Sequence, residues 1–209
     1  MTPLDALLLV MYGLIAYRVL TQAIEKLNKQ AIIGLNQGQL NEELTNRNLS
    51  GMVAFNFGFK NPYSLSSALR MLAISIVNTS DQTLYIDWDR SSLTNLGGRS
   101  RRVIRLTPDK SPDLIRAQVW SVIPPGQVLQ EVITAEDVLS RSAETDPLEP
   151  TGVIVPIAGA SEDRPLSFYL CIWLVVQQSS EVGSMEELQY LIPAEFLIRK
   201  CPWTDVLPW

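Results

Sequence analysis

An apolar run from Ala6 to Tyr17 (ALLLVMYGLIAY), broken by Arg18 and resumed at Val19-Leu20, opens this chain and limits its fold more than any later segment. As helix, Ala6 to Leu20 measures about 22 Å at 1.5 Å per residue, short of the roughly 30 Å hydrocarbon core of a bilayer. Extension through Thr21 and Gln22 to Ile24 gives about 28 Å, which just spans. Arg18 then falls inside the nominal core, close enough to its C-terminal end for the stem to lie along apolar surface while the guanidinium reaches the headgroups. The expected anchor residues are Leu7, Leu8, Leu9, Val10, Leu14, Ile15 and Arg18. Three other readings stay open: a helix lying in the interface, one whose Arg18 pairs with a carboxylate of another membrane subunit, and a helix buried in a soluble body.

A cleaved secretory signal fits poorly, because its leading region should be basic and the only side-chain charge before the apolar run is Asp5. Arg18, Lys26 and Lys29 all follow the run. By the positive-inside rule this flank prefers the cytoplasm, so the rest of the chain is expected on the cytoplasmic or a stroma-like side, with the opposite side as the alternative.

The chain has 209 residues; setting aside about 45 for an anchor and stalk leaves one ordinary domain. Its net charge of −5 argues against non-specific attraction to nucleic acid or to anionic headgroups by the overall field. Two cysteines, Cys171 and Cys201, do not make a disulfide framework, although a single bridge between neighbouring terminal strands is open in an oxidising space. The expected divisions are a membrane helix over 1–25, a helical stalk and linker over 26–50, a β domain over 51–200 and a tail over 201–209. Leu20, Ile24, Leu27 and Ala31 form one helical stripe, with Gly34 and Gly38 continuing it, which is the basis for the stalk. The Asn- and Gln-rich stretch 36–50 reads as linker or frayed helix end.

From Gly51 the period becomes that of strands. Nine apolar, β-branched or aromatic segments are expected as strands: Met52–Phe59, Leu69–Val77, Thr83–Trp88, Arg102–Leu106, Ala117–Ile123, Val128–Ile133, Gly152–Ile157, Ser167–Val176 and Leu188–Arg199. Breakers such as Asn78-Thr79-Ser80-Asp81 and Pro124-Pro125-Gly126 separate them. A short helix competes at Thr134–Ser142, with Thr134 as N-cap and Asp137 three residues on. The expected class is all-β: an immunoglobulin-like two-sheet sandwich of eight or nine strands behind an N-terminal helix, with a barrel as alternative.

The segment Val77–Leu93 (VNTSDQTLYIDWDRSSL), with Ile123-Pro124-Pro125-Gly126 further on, resembles a hairpin of bacterial, cyanobacterial-looking, membrane-anchored β-sandwich proteins of unknown function. Asn61-Pro62-Tyr63-Ser64 is similar to the Asn-Pro signature of late-embryogenesis-abundant type 2 domains, although the next residues depart from that pattern. The resemblance implies a fold and no activity.

With no histidine in the chain, Ser-His-Asp and Cys-His catalysis and histidine-ligated metals are excluded, and two cysteines alone cannot complete a structural zinc site. No metal or other cofactor is expected. Asp87 and Asp89 flank Trp88 at a spacing that places both on one face of a strand, beside Arg90, Ser91 and Ser92. Such a cluster suits a divalent cation or a sugar, or simply a set of cross-strand ion pairs around a buried Trp88.

Charge is uneven along the domain. Seven basic residues lie between Arg90 and Arg116 against Asp109 and Asp113, while the stretch from Glu131 to Asp163 is acidic. Arg99, Arg101, Arg102 and Arg105 are therefore candidates for docking an acidic partner or lipid headgroups, unless the two blocks neutralise each other. The tail carries Trp203 and Trp209, which need an apolar surface, an interface partner or the membrane boundary. Together these features point to a non-catalytic interaction or scaffold protein held at a bilayer, with a membrane protein as partner. A lipid- or small-ligand-binding sandwich is the second reading, and a carboxylate enzyme at the membrane surface the third.

Overall fold

Alternating burial marks the strands from Gln30 onward. In β1 (Gln30–Leu35) Ala31 and Ile33 are buried while Ile32 is exposed, the period-two pattern of a half-buried strand. The computed structural model describes residues 3–107, 114–141, 147–161, 164–179 and 185–201. Ahead of β1 stands α1 (Pro3–Leu27), and after it α2 (Gln37–Asn46), whose Asn36 cap accepts from the Gln39 amide and whose Leu40 and Leu44 are buried. The strands that follow are β2 (Val53–Gly58), β3 (Tyr63–Ser64), β4 (Ala68–Leu69), β5 (Leu72–Asn78), β6 (Thr83–Thr94) and β7 (Ser100–Arg105). Then come β8 (Ser121–Ile123), β9 (Val128–Ala135), β10 (Leu139–Ser140), β11 (Glu149–Pro150), β12 (Val155–Pro156), β13 (Leu166–Ser179) and β14 (Met185–Cys201).

The body is all-β, an antiparallel sheet that curls on itself behind an apolar helix. Ten strands join in the order β2-β5-β9-β7-β6-β13-β14-β1-β3, with β8 also on β6. The fold of the sheet is at β7: its first half, Ser100–Arg102, pairs with β6, and its second half, Val103–Arg105, pairs with β9. The layers are thus continuous through one strand. Inside the curl, Phe196 of β14 stacks on Phe168 of β13 at 4.8 Å between ring centroids and meets Phe57 of β2 edge-on at the same distance. Strands distant in the ladder order are brought together by that aromatic cluster.

Several expectations are corrected. The helical stalk over 26–50 ends at Leu27, because β1 forms a full ladder with β14 from Gln30↔Cys201 to Leu35↔Phe196. The β body therefore begins at Gln30 and not at Gly51. Gly34 lies in this strand with nothing within 4 Å of an added Cβ, so no backbone approaches it. The stretch read as linker contains the capped helix α2. Thr134 is no helix cap: it sits in β9 with its hydroxyl donating to the Arg70 carbonyl, and only a 3-10 turn, Glu136–Val138, follows. Nor can the cysteines bridge. Cys171 faces Pro193 in the β13–β14 ladder, eight residues short of Cys201, about 26 Å at strand rise. Both are free thiols, and burial raises the Cys171 pKa, with a Ser92 hydrogen bond opposing.

Candidate functional site

Most of the exposed large apolar side chains among the described residues cluster on α1 and make it an extended apolar surface. Leu7, Leu8, Leu9, Val10, Leu14 and Ile15 are each 57–63% exposed, and Arg18 is exposed among them. The helix runs for 25 residues, its most apolar stretch has a mean hydropathy of 1.7, and none of that stretch is buried against the body. At about 37 Å it exceeds the hydrocarbon thickness, leaving room for tilt. It is long and apolar enough to cross a membrane, and it is not a core helix of the body.

The basic block behaves differently from an open patch. Arg101, 8% exposed, donates to Asp137 at 3.0 Å and to the Ile154 carbonyl at 2.7 Å. Arg102 grips Asp89 through Nε and Nη2 at 3.0 and 2.5 Å and also donates to the carbonyls of Leu114 and Arg116. Arg105 pairs with Glu131 at 3.1 Å, donates to the Ser121 hydroxyl and the Val119 carbonyl, and lies over the Trp88 ring. These three arginines clamp the connection 114–119, Asp137 and the Val153-Ile154 backbone onto β7. Arg99 alone of the four stays on the surface, in the β6–β7 hairpin. The guanidiniums of Arg101, Arg102 and Arg105 are therefore spent on internal carboxylates and carbonyls, a neutralisation between the two charged blocks.

Asp87, Asp89 and Arg90 lie in a bulge. Cys171 faces Ser92 and Trp173 faces Asp87, so Trp88, Asp89, Arg90 and Ser91 stand opposite Ile172 alone, and strict alternation is lost. Asp87 turns into the bulge, accepting from the amides of Asp89 and Arg90 at 3.0 and 3.2 Å. Ser91 closes it by donating to the Asp87 carbonyl and accepting from the Trp173 amide. Asp89 is aimed elsewhere, at Arg102 and at both the backbone and side-chain amides of Gln118. Burial raises the Asp89 pKa, but the hydrogen bonds from Arg102 and Gln118 outweigh it and hold the carboxyl below its usual value. Arg90 spans Asp87 and the Trp173 ring. The two carboxylates thus do not converge on a common point. Trp88 is fully buried and donates to Ser121 at 2.9 Å.

Glu131 and Asp137 belong to the acidic block whose neutralisation of the arginines is one of the two expected outcomes, whereas Gln118 and Ser121 are absent from the sequence expectations, since nothing local announces contacts 13 to 29 residues away. Asn61, noted in the sequence only for its Asn-Pro pattern, has a side chain that accepts from and donates to the backbone of Ile33 at 2.9 and 2.7 Å, standing in for a paired strand.

A shallow trough of about 490 Å³ lies on the outer side of β2, β5 and β9. Gly58, Ala73 and Ser75 make its small-residue floor, with Val132, Gln130 and Leu106 alongside. The signal for it is in the strand sequences, where small residues occupy the outward positions of VAFNFG and LAISIVN. A second, more polar cleft of about 390 Å³ separates α2 from β2. Trp203 and Trp209 lie outside the described residues. Among the described residues, no group of three potential ligands could hold a metal ion.

No protein-family model matches this chain, and no curated protein does. A solved structure described as Northeast Structural Genomics Consortium target SoR45 is similar over 75% of this chain and 89% of that chain, at 13% identity and a TM-score of 0.28.

Proposed function

We propose that the chain is a membrane-tethered, non-catalytic contact module, an accessory or assembly subunit that holds a membrane protein partner. The observation that carries this reading is α1: a helix of 25 residues whose most apolar stretch is left uncovered by its own body. Such a surface needs lipid or protein around it. Asp87 and Asp89 are aimed at different partners and do not form an acid–base pair with each other, which favours contact over bond-making. The curled sheet is read as an immunoglobulin-like sandwich whose two layers share β7, with the trough on β2, β5 and β9 as the docking face. Placing Lys26 and Lys29 after the span favours a cytoplasmic or stroma-like position for the body. The resemblance of the Val77–Leu93 hairpin to membrane-anchored sandwich proteins points the same way.

Affinity purification from gently solubilised membranes tests it. The intact chain is expected to retain a stoichiometric membrane protein that an Ala73→Arg variant, with the floor of the trough filled, retains at least tenfold less well. Recovery of the intact chain alone would contradict the reading. A second reading, binding of a small apolar ligand, rests on the trough volume, which falls in the range of ligand sites. Co-purifying lipid or metabolite lost in the same variant, with no protein, would favour it.

A further inference from the structure

The strand register fixes which end of the body adjoins α1. Only Asn28 and Lys29 separate Leu27 from β1, and Gln30 pairs with Cys201 at the end of β14 and with Ser64 of β3. Leu166↔Ile198 places the start of β13 at the same end, and Tyr169↔Thr94 places the β6–β7 hairpin there too. Lys26, Lys29, Arg99, Arg164 and Arg199 occupy these termini, all exposed. None is in an ion pair among the described residues, in contrast to Arg101, Arg102 and Arg105. Lys200 adds a sixth positive charge, against Glu25, Glu162 and Asp163 in the same stretches of sequence.

The opposite end is acidic. Thr83↔Gln177 and Gln177↔Glu187 bring the β5–β6 turn beside the start of β14. Asp81, Glu186 and Glu187 lie in the described parts of these segments, 79–83, 177–179 and 185–189, none of which contains Lys or Arg. A chain of net charge −5 thus carries a charge gradient along its strands, positive where the helix joins. Neighbouring strands stand about 4.8 Å apart, so the basic termini of β1, β14, β13 and the hairpin span a width of roughly 15 Å. That is a footprint of a few headgroups.

From this arrangement we infer that the α1 end of the β body docks on anionic lipid headgroups, which fixes the body upright with its acidic end away from the bilayer. The inference rests on α1 being the anchor proposed above. Basic residues beside a span are drawn to anionic lipid within a Debye length of the surface, and the acidic end is repelled by the same field. One orientation is selected, and a docking face on the side of the sheet is held at a constant height.

The test is hydrogen exchange on the full chain in nanodiscs of phosphatidylcholine alone or with about one-third phosphatidylglycerol, preceded by flotation with vesicles of each composition. Flotation with both lipids and about fivefold slower exchange at the β6–β7 hairpin and the start of β13 in the anionic discs alone is the expected result. The slowing should vanish at roughly 0.5 M salt and in the K26Q/K29Q/R164Q/R199Q variant, while the β5–β6 turn is unaffected. Flotation with equal exchange in the two lipids overturns the inference and leaves the anchor standing. Failure to float with either lipid overturns the anchor and the inference with it.

Discussion

Phe196→Ala is expected to cost about 4 kcal/mol of folding stability, among the largest effects of any single truncation in the body. Phe196 is fully buried, and its ring contacts Phe168 on the neighbouring strand, Phe57 on the far edge of the ladder and Phe59 beyond it. Removing it takes away the transfer free energy of an aromatic ring and leaves a void where β2 closes over β14. Leu197→Ala, one residue on and half-buried, should cost well under half as much. Urea unfolding of both variants in detergent micelles, followed by tryptophan fluorescence, checks the contrast. Equal midpoints for the two would mean that the curl does not close on this cluster.

Arg102→Leu should cost about 2–3 kcal/mol at neutral pH. Each partner of the Arg102–Asp89 pair is a quarter exposed, so the loss is discounted from that of a fully buried pair. It leaves Asp89 partly buried with Gln118 as its remaining donor and frees the carbonyls of Leu114 and Arg116. Asp89→Asn should cost less. The double variant should recover about 1 kcal/mol of the summed losses, because each single change strands the other group. The Asp89 carboxyl titrates below its unfolded value of about 3.9, so its stabilisation is complete above that pH and is lost as pH falls through the lower folded value. Stability of the parent chain should therefore drop below about pH 4 more steeply than that of Asp89→Asn. Parallel acid profiles for the two would show that the pair contributes nothing.

The long strands were legible because their burial is dense and their residues are β-branched or aromatic; β13 and β14 overrun the expected segments by only a few residues. What misled at β1 was coincidence of period. Leu20, Ile24, Leu27 and Ala31 continue a helical stripe across a helix end, while the decisive signal, alternation of Ala31, Ile32 and Ile33, spans only three residues. Helix α2 was hidden by its polarity, since only Leu40 and Leu44 of its residues face inward. At Asp87 and Asp89, alternation fails because a bulge changes the register, and a bulge is a property of the pair of strands, with Ser91 and Trp173 closing it from both sides. The excess of arginine on β7 is plain in the sequence, but Asp137 and Glu131, which pair with Arg101 and Arg105, lie on segments that come together only when the sheet folds at that strand.

The central claim is that α1 holds this β body on a bilayer, and carbonate extraction of native membranes tests it most directly. The intact chain should remain in the membrane pellet at alkaline pH, and a chain lacking residues 3–27 should appear in the soluble fraction. Release of the intact chain into the supernatant would contradict the account.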